Sequence, residues 1–132
     1  MLASPVLAHL IGEEEASARV ETSSGIQASL AGRYALALFE LARDGKALDS
    51  VAESLATLKA ALAESADFKA LTTSPLIGRE AAAKAVAAVA QTLQLDPLTT
   101  KTLGVVANNR RLFQLTKVIR AYGTLLSAHK GG

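Results

Sequence analysis

The sequence predicts an all-α fold: a six-helix bundle with short turns, preceded by an N-terminal extension that is itself expected to be helical. Three observations carry this. Half of the 132 residues are apolar and these are mostly Ala and Leu, the strongest helix formers, while aromatic residues make up only 4%. Two long segments carry apolar residues at alternating spacings of three and four. Cap and turn residues punctuate the chain between the periodic stretches.

Residues 1–25 read as an extension and linker, and residues 26–130 as the main domain. Ser4 and Pro5 suit an N-cap and a first helical position. Val6, Leu7, Leu10 and Ile11 follow as a short apolar stripe, then Gly12 and the acids Glu13, Glu14 and Glu15. The stretch from Glu21 to Gly25 is a polar linker.

The first main helix is expected from about Gln27 to Arg43, stopping at Asp44-Gly45. Its polar residues fall in a narrow stripe through Arg33, Glu40 and Asp44, so it is apolar over most of its circumference and is either fully buried or faces a partner. The second, about Lys46 to Glu64, spaces Leu48, Val51, Leu55, Leu58 and Leu62 as one core-facing seam. Phe68 and Leu71 mark a short helix ended by Thr72-Thr73-Ser74-Pro75. A fourth spans about Arg79 to Leu93, with Val86, Val89 and Leu93 as its larger contacts. Asp96-Pro97 starts the fifth, which runs to about Asn108 before an Asn108-Asn109 turn. It carries two neighbouring stripes, Leu98, Leu103 and Val106 beside Thr102, Val105 and Asn109. The sixth, about Arg111 to Ala128, repeats the seam pattern through Leu112, Leu115, Ile119, Tyr122 and Leu126. The second and sixth helices are expected to pack mainly through these seams.

Composition excludes several chemistries. There is no Cys, so there is no disulfide framework, thiolate metal site or Cys nucleophile. His9 and His129, at opposite ends, offer no paired imidazoles, and consecutive carboxylates such as Glu13 to Glu15 diverge by about 100° on a helix, which favours solvation over a metal cluster. No cofactor and no metal are expected, and no catalytic residues. No apolar run approaches the ~20 residues of a membrane span, so direct membrane insertion is not expected and a soluble, intracellular protein is. Charge is uneven: residues 1–96 hold all 12 acids, whereas residues 97–132 hold six bases and no acid. That asymmetry leaves a basic helical nucleic-acid-binding domain as an alternative, acting through Arg110, Arg111, Lys117 and Arg120.

Two segments carry a resemblance. Gly32 to Ala42 reads GRYALALFELA, and Val105 to Leu112 reads VVANNRRL, followed seventeen residues later by His129-Lys130-Gly131. Together they resemble the N-terminal domain of the delta subunit of bacterial F-type ATP synthase, whose mitochondrial counterpart is the oligomycin-sensitivity-conferring protein. The similarity covers about Ile26 to Gly131. One departure is Arg110, where many members have Gly in the turn; if that position needs positive φ, Arg costs on the order of 1 kcal/mol.

The resemblance implies a non-enzymatic peripheral-stalk subunit. Its six-helix domain grips the N-terminal helix of an alpha subunit, and a C-terminal α/β domain, absent from this chain, joins the stalk b subunits. The catalytic head is thereby held static against the rotor, at the cytoplasmic face of the bacterial inner membrane. By position, the groove for the alpha helix lies between the first and fifth helices. Tyr34, Ala35, Leu38 and Ala42 form one wall; Thr102, Val105, Val106 and Asn109 form the other. Leu38 and Val106 also suit the core, as does Tyr34; Val105 and Ala35 are the better groove positions. The resemblance does not reach residues 1–24, and either Met1 or Val20, through an alternative GTG start codon, serves as the native start. The Val6 to Ile11 stripe is expected to pack on an apolar surface of its own or another copy.

Overall fold

A computed structural model describes residues 29–131, all of them in helices or in the turns between. The expectations for residues 1–28, including the extension, its apolar stripe and Val20, lie outside these described residues. Helix α1 is Leu30–Asp44, α2 is Leu48–Glu64, α3 is Ala66–Thr73, α4 is Arg79–Leu93, α5 is Pro97–Asn108 and α6 is Leu115–His129. A short 3-10 turn, Leu112–Gln114, leads into α6.

Capping chemistry explains several of the starts. The Ser29 hydroxyl accepts the Gly32 N–H at 2.9 Å, and the Ser65 hydroxyl accepts the Phe68 N–H at 3.1 Å. Asp96 caps α5, its carboxylate accepting the Leu98 N–H at 2.7 Å while Pro97 occupies the first turn. Turn geometry explains the stops. Lys46, Gln94 and Arg110 take φ of 57°, 55° and 60°, each reversing the chain just beyond a helix. The strain anticipated at Arg110 is thus present.

The core fills the centre of the bundle. Helix α1 runs through it, with Ala31, Tyr34, Ala35, Ala37, Leu38, Phe39 and Ala42 all buried, more than half of its circumference. Its most extensive packing is on α6, and α4 packs chiefly on α5. The α2 seam is as predicted at Val51, Leu55, Leu58 and Leu62, with Leu48 half-buried at its start. The sixth helix departs from expectation in two ways. Its first turn is 3-10, because Arg110 reverses the backbone and no Ser, Thr, Asp or Asn stands ready to cap an α-helix at Arg111. Its buried face is Leu115, Val118 and Tyr122, with Ile119 and Leu126 only half-buried. The seam is rotated because α6 packs more on α1 than on α2.

Long-range polar contacts tie the helices together. The Tyr122 hydroxyl donates to the Leu48 carbonyl at 2.9 Å, joining α6 to the start of α2. The Ser50 hydroxyl donates to the Asp96 carboxylate at 2.5 Å, and the Asp96 N–H donates to the Ser54 hydroxyl at 2.7 Å. Asp96 therefore caps one helix while two serines of another hold it.

Candidate functional site

The two walls predicted for a groove are brought together. Tyr34, Ala35, Leu38 and Ala42 share one face of α1, and α1 packs against α5, which carries Thr102, Val105, Val106 and Asn109. The Asn109 side-chain amide donates to the Tyr34 hydroxyl at 3.1 Å, bridging the walls across 75 residues of sequence. These side chains are inside: Ala35 is 0% exposed and Val105 1%, with Asn109 half-buried. Tyr34, Leu38, Ala42, Thr102 and Val106 are buried as well. Apart from the Tyr34–Asn109 pair the surface is apolar and uncharged, and Thr102 turns its hydroxyl back to the Leu98 carbonyl at 3.0 Å. Such a face suits packing against another helix rather than chemistry on a substrate.

Arg110 sits on the turn after α5, Arg111 is half-buried beside it, and Lys117 and Arg120 are exposed on α6. Among the described residues no group of His, Asp or Glu is placed to hold a metal ion, and no helix is long and apolar enough to cross a membrane. Burial, with the fields of Asp49 and Asp96 added, pushes the Tyr122 phenol up to about 12, which favours the neutral hydroxyl that donates to Leu48.

A second concave surface escaped the sequence reading. Between α2 and α6 runs an open groove of about 990 Å³ whose floor includes Ala56, Ala63, Ile119 and Gly123. Its signal was present as two stripes of mostly small residues at spacings 4-3-4: Ala52, Ala56, Lys59 and Ala63 on α2, and Thr116, Arg120, Gly123 and Ser127 on α6. Each lies next to an apolar seam that draws attention first.

The chain matches the protein family described as ATP synthase delta (OSCP) subunit over residues 30–132. It is 65% identical to the ATP synthase subunit delta of Rhizorhabdus wittichii over 112 residues, which cover 85% of this chain and 61% of that protein. It is 52% identical to that of Erythrobacter litoralis over the same length and coverage. With the subunit of Rhodopseudomonas palustris strain BisB18 it shares 49% over 102 residues, 77% of this chain and 55% of the relative. The chain thus spans between about half and two-thirds of the length of these relatives. With a family match over more than three-quarters of its residues, six helices among the described residues and close relatives that share one name, the chain belongs to the ATP synthase delta (OSCP) subunit family.

Proposed function

We propose that this chain is the alpha-subunit-binding part of a non-catalytic peripheral-stalk subunit of the proton-translocating F-type ATP synthase. Its α1/α5 face receives the N-terminal helix of an alpha subunit, and further sequence of the subunit joins the stalk b subunits. Together these hold the catalytic head static against the rotor, peripheral to the cytoplasmic face of the bacterial inner membrane. Family membership supports the assembly, and one observation supports the face. Two helices apolar over more than half their circumference lie side by side, linked by the Tyr34–Asn109 hydrogen bond at one end. Burial sets a condition: Ala35 and Val105 are closed off from solvent, so the face must open to receive an incoming helix.

Titrating a synthetic alpha-subunit N-terminal peptide against the chain, with duplex DNA as control, tests this reading. The peptide binds and DNA does not; salt-dependent DNA binding with no peptide binding would reverse the assignment. Val105→Asp places a charge on the apolar face and abolishes peptide binding while a cooperative thermal melt persists. If that variant unfolds, Val105 belongs to the core, and if it binds normally the groove lies elsewhere.

A further inference from the structure

The groove between α2 and α6 has features that the α1/α5 reading does not use. It runs for about three helical turns, since Ala52 and Ala63 bracket roughly 16 Å of α2. Lys59, Lys69 and Arg120 line it, and no carboxylate does. At the α3 end it continues into a smaller hollow of about 410 Å³, whose lining adds Arg79 and Arg110 and again no acid. Phe113 stands where the two meet, lining both and 57% exposed, one of two large apolar side chains left open among the described residues. An exposed aromatic at the end of an apolar trough is the usual anchor of an interface.

Gly123 adds a steric argument. It lies mid-helix in α6, its φ is not positive, and a Cβ built there would meet nothing within 4 Å. Neither a turn nor internal packing accounts for a glycine at this position. A second backbone lying close over it does, and Ala56 and Ala63 on the facing helix leave room for that approach.

We propose that the α2/α6 groove is a second helix-docking surface, and that its occupant is an amphipathic helix from another subunit of the assembled enzyme with carboxylates flanking its apolar face. The apolar floor between separated cations matches such a helix; a polyanion would leave Ile119 and Phe113 without a partner. The partner's apolar residues lie along Ala56, Ala63 and Gly123, its backbone nearest Gly123, and its acids reach Lys59 and Arg120.

The test uses the subunit carrying this chain, assembled with the other subunits of the enzyme. Photoreactive benzoyl-phenylalanine replaces Thr116 or Ser127 singly, at exposed lining positions away from the close approach at Gly123, with exposed Glu80 on α4 as the reference position. The groove positions give crosslinks about tenfold above the reference, mapping to one segment of another subunit with apolar residues at helical spacing and flanking acids. The pair Lys59→Glu and Arg120→Glu lowers that yield about tenfold without shifting the thermal melt, and Lys59→Arg with Arg120→Lys keeps it. Yields equal to the reference overturn the proposal. So do crosslinks to residues 1–28, to a second copy of this chain, to nucleic acid or to a segment without carboxylates, and so does indifference to charge reversal. The α1/α5 reading is scored by peptide titration, so either surface can fail while the other stands.

Discussion

The α1/α5 pair and the α2/α6 pair solve the same packing problem differently. Helices α1 and α5 sit deep, buried over more than half their circumference, and their contact closes with the Tyr34–Asn109 hydrogen bond. Helices α2 and α6 give one seam each to the core and turn the adjoining stripe of small side chains outward. The lesson is that an apolar stripe beyond what one core face requires can end either inside or outside. Chain position does not decide it; which helices pack over the stripe does. Helix α1 packs against α2, α5 and α6, so its surplus face is covered.

If the two pairs differ in this way, truncation of a seam residue should cost as much at the outer pair as in any core. Leu55 and Leu115 are almost fully buried on α2 and α6. Leu55→Ala and Leu115→Ala should each lower stability by ~2–5 kcal/mol in urea unfolding, through lost transfer energy and the cavity left. Losses under about half a kcal/mol would mean that these helices are held by something other than their seams.

The polar clasp between the pairs comes next. Asp96 caps α5 and is held by Ser50 and Ser54 of α2, so Asp96→Ala removes the cap and leaves the buried Ser54 hydroxyl without the carboxylate-anchored turn that meets it. A loss of about 1–2 kcal/mol is expected. Ser50→Ala, at an exposed position, should cost less, and equal costs would show that the cap contributes nothing of its own.

How much of this was legible in the sequence follows from the range of each interaction. The end of α3 and the start of α5 fell where expected because Pro75, Asp96 and Pro97 act within a turn of themselves. The α2 seam was legible because that helix has a single core face. The clasp was not: Ser54 and Asp96 are 42 residues apart, and a serine beside a leucine seam gives no hint that it will be buried. Nor was the inward face of α6, since Val118 enters the core only because α1 is the main neighbour. The residues expected as groove walls from the resemblance lie on neighbouring helices, yet their burial could not be read from periodicity, which gives a face but not what covers it.

Tyr122 sharpens the comparison through pH. Its hydroxyl links α6 to α2, and its folded-state pKa is raised from 10 to about 12, first by burial and then by Asp49 and Asp96. The unfolded chain therefore ionises first. Stability from the neutral phenol is complete below pH 10 and is lost as pH rises through about 12. Tyr122→Phe should cost about 0.5–1.5 kcal/mol at neutral pH through the lost hydrogen bond, and the gap to the parent should close between pH 10 and 12. A constant gap across that window would place the hydroxyl in water rather than on the Leu48 carbonyl.

The smallest expected effects are gains, and they separate strain from function. Arg110 takes φ of 60° at the turn after α5, whereas Gly123 sits in a regular helix with open space where a Cβ would go. Arg110→Gly relieves about 1 kcal/mol of backbone strain but loosens the unfolded chain, so the net gain is a few tenths. Gly123→Ala restricts the unfolded chain and adds a good helix former, for a gain of about 0.5–1 kcal/mol. Both changes should raise the midpoint of thermal unfolding in the isolated chain. Only the second lies in the α2/α6 groove, so in the assembled enzyme Gly123→Leu, with a side chain too large for a close backbone, should weaken crosslinking from position 116 while Arg110→Gly leaves it intact. A destabilising Gly123→Ala would mean that the glycine serves the fold of this chain, and the steric argument for a partner backbone at α6 would go with it.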